Sequence, residues 1–238
     1  MGKNVLLIGA SGDIGGAIAQ ALASEGYSLL LHYHKNKQAI DRTRLNLNEE
    51  SILTEIQADL SAEAEVKQLL TQLVYPVDAV IFASGKAHYG LFQDTDEKIM
   101  DEMLSLHVKM PWLITKHLLP AMIQNKKGKI IFITSIWGEI GASNEVMYSS
   151  VKGAQNSFVK SLAKEVAPSG ISVNAVSPGF IDTKMNNHLL PAEKESITND
   201  IPNNRAGTAD DVANAILFLM NEKSSYIQGE IINVTGGW

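Results

Sequence analysis

Cysteine is absent from all 238 residues, which rules out disulfides and thiolate-held metals. Basic residues are outnumbered: 20 lysines and arginines against 26 acids leave a net charge of −6. The one basic cluster, Lys126-Lys127-Gly128-Lys129, is too short to make a nucleic-acid surface. No apolar stretch approaches the roughly 20 residues that cross a bilayer. The opening Met1-Gly2-Lys3-Asn4 runs straight into an apolar segment and shows no signal-peptide architecture. The six histidines (32, 34, 88, 107, 117 and 188) fall into no metal-ligand spacing. These absences predict a cytoplasmic protein with no metal, no membrane and no nucleic-acid partner.

What is present is a 45% hydrophobic chain, enough for one large core and a single domain over 1–238. Apolar, β-rich runs alternate with helical patterns. Val5–Ile8, Ser28–Tyr33, Ile52–Gln57, Ala79–Ala83, Lys129–Thr134, Ser172–Val176 and Glu230–Val234 read as strands. Continuous runs such as Val5-Leu6-Leu7-Ile8 suit strands covered on both faces, as a parallel sheet requires. Helical patterns lie at about 14–25, 37–48, 62–73, 97–124, 146–167 and 209–220. The alternation predicts an α/β, doubly wound fold. The least regular stretch, about 180–207, contains Pro191 and Pro202 and reads as a mobile substrate loop or an ordinary surface loop.

The first strand delivers Gly9-Ala10-Ser11-Gly12-Asp13-Ile14-Gly15-Gly16 into a helical segment. Glycines let backbone approach a pyrophosphate, and a helix N-terminus offers unpaired N–H groups and a favourable dipole. Gly9, Ser11, Asp13, Ile14 and Gly15 are therefore candidate cofactor contacts. The second strand ends in His32-Tyr33-His34-Lys35-Asn36-Lys37, without the acid that would bind a ribose 2′-OH and repel a 2′-phosphate. With His34 and Lys35 at that end, NADP(H) is favoured over NAD(H); alternatively Lys35 and Lys37 merely solvate a helix start. Asp59, followed by Leu60, could accept a bond from an adenine amino group or cap the helix expected near Ala62, and the two roles are compatible.

Tyr148-Ser149-Ser150-Val151-Lys152 places a phenol and an ammonium four residues apart, on one helix face, with Ser135 13 residues upstream. A free phenol has a pKa of about 10, and a nearby ammonium should lower it, suiting the pair to proton exchange with a carbonyl or alcohol oxygen. Trp137 is expected to line the pocket, either stacking on a cationic amine or packing in the core.

Taken together the chain resembles the short-chain dehydrogenase/reductase family from end to end. The resemblance rests on the glycine turn, on Ser135, Tyr148 and Lys152, on Pro178-Gly179 followed by Ile181 and Thr183, and on the segments 205–213 and 227–237. It implies a Rossmann-type seven-stranded parallel sheet, a nicotinamide cofactor and a homotetramer, or a homodimer. It also implies that Tyr148 is the proton donor, that Lys152 tunes it and holds the nicotinamide ribose, and that Ser135 steadies the substrate oxygen. Pro178, Gly179, Ile181, Thr183 and Gly85 join the cofactor site on the same ground.

The chain departs from the family pattern in Ile8 for a threonine, Asp13 for the middle glycine, and Phe82-Ala83-Ser84-Gly85 where two asparagines are usual. His107 replaces the asparagine of the proton relay. Within the family the chain is similar to 3-oxoacyl-[acyl-carrier-protein] reductases, and in several segments to the group that reduces a 5-aminopentanone on elongation factor P. Ser169 occupies a position where carrier-protein reductases commonly have arginine. The reaction so implied is NADPH-dependent reduction of a ketone, small or carrier-borne. The departures also admit another class, a catalytically silent NADP-binding regulator.

Overall fold

A computed structural model describes residues 3–238; Met1 and Gly2, the start of the expected unsignalled N-terminus, lie outside the described residues. Seven parallel strands form one sheet in the order β3-β2-β1-β4-β5-β6-β7. They are β1 (Asn4–Ile8), β2 (Ser28–Tyr33), β3 (Ile52–Gln57), β4 (Ala79–Phe82), β5 (Gly128–Ile133), β6 (Ile171–Pro178) and β7 (Ile231–Val234). The connecting helices are α1 (Asp13–Ser24), α2 (Lys37–Leu45), α3 (Glu63–Thr71), α4 (Glu97–Leu104), α5 (Met110–Gln124), α6 (Trp137–Ile140), α7 (Val146–Val166), α8 (Pro191–Asp200) and α9 (Ala209–Met220).

Alternation along each strand divides the core in two. Leu6, Ile8, Val80, Phe82, Ile130 and Phe132 point to one face, where they meet Val66 of α3, Ile114 of α5 and Val159 of α7. Val5, Leu7, Leu29, Leu31, Ile81 and Ile131 point to the other and meet Ile18 of α1, Ile40 of α2 and Ile216 of α9. Phe82 and Phe132 stack at 4.5 Å between centroids, joining neighbouring strands. Both faces are covered, which is why the strands read as unbroken apolar runs. Among the described residues no helix is long and apolar enough to cross a membrane.

Two expectations need correction. The helical pattern at 97–124 is two α-helices joined by a π-helical stretch, Ser105–Lys109. Pro111, two residues beyond it, has no N–H to give the His107 carbonyl, which accepts instead from Gln155 Nε2 at 2.7 Å, so the break in the helical ladder has a mark in the sequence. The stretch about 180–207 contains α8 and a parallel bridge between Ile181 and Gly207. Pro191 is the first residue of α8, where its missing N–H costs nothing, and Glu193 accepts a hydrogen bond from Leu190 N at 2.7 Å.

Candidate active site

The strand order reverses between β1 and β4, and the glycine turn lies at that point. Gly9 has φ +91°, and a Cβ there would come within 2.5 Å of Ser84 N; a Cβ on Gly15 would come within 2.1 Å of Gly9 O. Gly12, by contrast, would meet only Gly9 O at 3.5 Å. The turn is closed by backbone against backbone, and its outer side is open. There a cleft of about 290 Å³ is lined by Ser11, Gly12, Asp13, Ala39, Arg42 and Lys184.

His32 fixes the turn from below. Its Nδ1 accepts from Gly9 N at 3.1 Å, so Nε2 carries the proton donated to Ala58 O at 3.0 Å. Burial holds its pKa down at about 4, so the ring is neutral near pH 7. The turn thereby becomes coupled to the end of β3.

The expected nucleotide residues divide by what their side chains do. His34 Nε2 sits 3.3 Å from Asp59 Oδ2 at the ends of β2 and β3. Asp59 does not cap α3, whose N-cap is Ala62; it accepts from Ser61 N and Oγ at 2.8 and 2.7 Å, closing a turn one step earlier. Leu60 is buried in the core. Lys37 is tied to Asp41 and Glu55, while Lys35 makes no ion pair among the described residues.

Asp13 opens α1, but its carboxylate is turned aside, accepting from Lys184 N at 2.7 Å and Nζ at 2.9 Å. Partial burial acts upward on its pKa, and the two Lys184 contacts outweigh it, so the carboxyl is held low. A direct side-chain contact with a pyrophosphate is thus not what this residue provides. Sequence reasoning missed Lys184 as its partner and Arg42 as a wall of the cleft. Lys184 leaves no local pattern, whereas Arg42 lies on the helix following the basic strand end.

Pro178 ends β6 and accepts from Ile136 N, while Gly179 N donates to Val234 O. Ile181 is buried and pairs with Gly207; Thr183 precedes the turn that carries Lys184. These residues border the same side of the sheet as the glycine turn, through the Asp13–Lys184 contact. The residues present fit a dinucleotide: an open backbone turn at a helix N-terminus, Arg42 and Lys184 lining the cleft beside it, and the cleft's one acid, Asp13, paired with Lys184.

The catalytic candidates converge at the ends of β4 and β5. Ser135 follows β5, and its Oγ accepts from Trp137 N at 3.2 Å. Helix α6 lies so close to α7 that a Cβ on Gly138 would fall 2.7 Å from the Lys152 carbonyl carbon. Tyr148 and Lys152 are both buried on α7, with Nζ 5.5 Å from the phenol ring centroid and donating to Ile133 O at 2.8 Å. A Cβ on Gly85 would sit 3.3 Å from His107 Cε1 and 3.9 Å from Lys152 Nζ.

His107, on the π-helical stretch, packs edge-on to Tyr148 with centroids 5.9 Å apart. Its Nε2 lies 3.0 Å from Lys86 O and Nδ1 has no hydrogen-bond partner. Burial, then the Lys152 charge, hold its pKa down at about 3.

The electrostatics differ from the expectation that Lys152 lowers the phenol pKa. Burial pushes Tyr148 up to about 12, Glu145 adds to this, and Ser135 acts the other way. Lys152 is itself driven down to about 7 by burial, so it carries only part of a charge near neutrality. Glu145 was not singled out from the sequence. The available signal was its place three residues before Tyr148, on the same helix face.

Residues 9–238 match the family described as enoyl-(acyl carrier protein) reductase. An uncharacterized oxidoreductase, YmfI, of Bacillus subtilis strain 168 is 50% identical, covering 100% of this chain and 99% of its own. The 3-oxoacyl-[acyl-carrier-protein] reductase FabG of Aquifex aeolicus is 34% identical over 99% of this chain and 97% of its own. Among solved structures, a 3-oxoacyl (acyl-carrier-protein) reductase of Agrobacterium tumefaciens with NADP bound superposes with a TM-score of 0.91 at 26% identity, covering 100% of this chain and 94% of that one. With a seven-stranded parallel sheet, the Ser135–Tyr148–Lys152 cluster and these end-to-end matches, the chain belongs to the short-chain dehydrogenase/reductase family of oxidoreductases.

Proposed function

We propose that the protein is an NADPH-dependent ketone reductase of the 3-oxoacyl-carrier reductase type. The observation that carries the reading is the buried convergence of Ser135, Tyr148 and Lys152 beside Gly85, on the side of the sheet that bears the glycine turn. A reduced nicotinamide bound there supplies the hydride. A carbonyl that gains a hydride at carbon develops negative charge on oxygen, and that oxygen is then more basic than a phenolate. Tyr148, held protonated by burial, donates its proton to it, completing a hydroxyl. Ser135 hydrogen-bonds the same oxygen. Lys152, with a pKa near neutrality, returns a proton toward Tyr148 and holds the ribose.

Burial holds the Tyr148 phenol in its protonated form, the form that a proton donor in carbonyl reduction needs. The preference for NADPH is supported by Arg42, which lines the cleft with Gly12, and by a β2 end that carries His34 and Lys35 and no acid.

A second reading of the substrate, the 5-aminopentanone group on elongation factor P, is favoured by two observations. Ser169 replaces the arginine usual in carrier-protein reductases, and the 50% identical relative is not named as one of those enzymes, which match at 32–34%. Comparing turnover of a 3-oxoacyl carrier thioester with that of ketone-modified elongation factor P separates the two. The long helices α5 and α7 support assembly into a homotetramer or homodimer.

The central test is Tyr148→Phe, expected to cut NADPH-dependent turnover by about 10²–10⁴-fold. Cofactor binding, followed by NADPH fluorescence, should stay within about threefold and remain at least tenfold tighter than for NADH, about 1.4 kcal/mol. An unchanged turnover rate overturns the mechanism. Binding of NADPH with no oxidation on any of a panel of ketones would favour the regulator instead.

A further inference from the structure

At the edge of the sheet where the strands begin, opposite the edge that carries Ser135 and Tyr148, lies a cavity of about 740 Å³. That volume falls in the range of small-molecule sites, roughly 300–1,000 Å³. Its origin is local. Ala79, Lys129 and Ser172 stand side by side on β4, β5 and β6, on the sheet face that Ile216 and Leu219 of α9 cover one step further along. Helix α9 ends at Met220, and beyond that end Ala79 and Ser172 are too small to fill the space above the strands. Tyr27 closes one side, with its hydroxyl donating to Met220 O at 3.2 Å. Tyr226, fully exposed, stands at the rim.

The charges of the lining are unequal. Lys3, Lys127 and Lys129 face Asp78 and Glu222, one positive charge in excess. Glu222 is shared between Lys3 at 3.0 Å and Lys127 at 3.9 Å, while the Asp78 carboxylate accepts from Asn4 N at 2.8 Å. Lys129 forms no ion pair among the described residues. Its ammonium donates to Leu219 O at 2.8 Å and Asn221 O at 3.3 Å, which leaves one of its three N–H groups free. Burial, then the nearby Lys3, pull its pKa down, the response of a cation short of an anion. A largely apolar cavity with one surplus cation suits a ligand with one negative charge and a hydrocarbon body.

We propose that this cavity binds an amphipathic monocarboxylate. The carboxylate takes the free N–H of Lys129, beside Lys127, and the alkyl chain lies against Ala79, Met220 and Tyr226. The site is separate from the reaction centre, and the proposal does not depend on the reductase reading. A neutral head group would leave Lys129 unpaired, and a cationic one would meet three lysines.

Calorimetric titration with decanoate tests it, with 1-decanol and decyltrimethylammonium as the neutral and cationic counterparts, each with and without NADPH. One decanoate should bind per chain, at least tenfold tighter than decanol, about 1.4 kcal/mol, and NADPH should not displace it. Decyltrimethylammonium should bind more weakly than decanol. Lys127→Glu, at an exposed position, reverses the surplus charge without touching the carbonyls that Lys129 holds, and should weaken decanoate by about fivefold or more. Ser172→Phe fills the cavity and should abolish binding of decanoate and decanol alike; where its thermal midpoint shows that it does not fold, Ser172→Leu takes its place. Equal affinities for decanoate and decanol overturn the site. So do displacement by NADPH, several decanoates per chain, unchanged binding in either variant, or no binding at about 1 mM.

Discussion

At the scale of single residues, burial without a countercharge is the recurring device. His32 and His107 are both neutral in the fold, with pKa values held down at about 4 and 3. In an unfolded chain each would titrate near 6.5. The folded pKa is the lower one, so their contribution to stability is complete above about pH 6.5 and is lost as pH falls toward 4 and 3. Each adds up to about 1.4 kcal/mol of lost stability per pH unit inside its window. Paired carboxylates such as Asp211, held down at about 2 chiefly by Arg205, give way only at lower pH. Urea midpoints should therefore fall steadily between about pH 6.5 and 4.5; a flat profile there contradicts the neutral, buried state of both rings. Ser135, Tyr148 and Lys152 stand out in the sequence only because the Tyr–Lys helix spacing and the upstream serine coincide with a family pattern that runs the length of the chain. The electrostatic sense of the phenol was not legible, since it depends on burial and on Glu145, whose spacing from Tyr148 is visible in the sequence but whose burial is not.

At the scale of elements, the nucleotide turn and the segment after β6 are joined by Asp13 and Lys184. The pair is partly exposed, so its contribution to global stability should be small, about 0–1 kcal/mol. Its local effect should be larger, because Lys184 gives both its backbone N–H and its ammonium to one carboxylate. Asp13→Asn is expected to leave the thermal midpoint nearly unchanged and to speed amide hydrogen exchange across 183–200. Unaltered exchange there would show that α8 and the Ile181–Gly207 bridge hold the segment by themselves.

The strands and most helices were readable within a few residues, since apolar runs and glycine turns mark them directly. Helix α8 escaped notice because Pro191 and Pro202 look like breakers, although Pro191 occupies the one helical position that suits it. The π-helical stretch, Ser105–Lys109, is marked only indirectly, by Pro111 two residues beyond it, which cannot donate to the His107 carbonyl. That stretch carries His107, which lies edge-on to Tyr148, so an irregularity marked by a single proline shapes the catalytic wall.

For the molecule as a whole, helices cover both faces of the sheet, and apolar side chains remain on the outside. Trp112 and Ile123 of α5 are each 45% exposed and, eleven residues apart, share one side of the helix. Trp112 leans on Phe158 of α7, 5.7 Å between ring centroids, which links the two helices expected to pair between subunits. Light scattering should return two or four times the 25.9 kDa chain mass, and Trp112→Glu should lower it. A monomer at micromolar concentration would contradict the assembly.

The unequal crowding of the nucleotide turn bears on how this protein can diverge. Gly9 and Gly15 are walled by backbone that no rotamer change can move, so any side chain there must rebuild the crossover itself. A Cβ on Gly12 would make only an ordinary contact, 3.5 Å from Gly9 O, and the basic side chain of Arg42 already borders the cleft. Side chains bordering the cleft can therefore change one at a time, while the turn beneath them is effectively frozen. A lineage descending from this chain could re-line the cleft long before it could lose the turn.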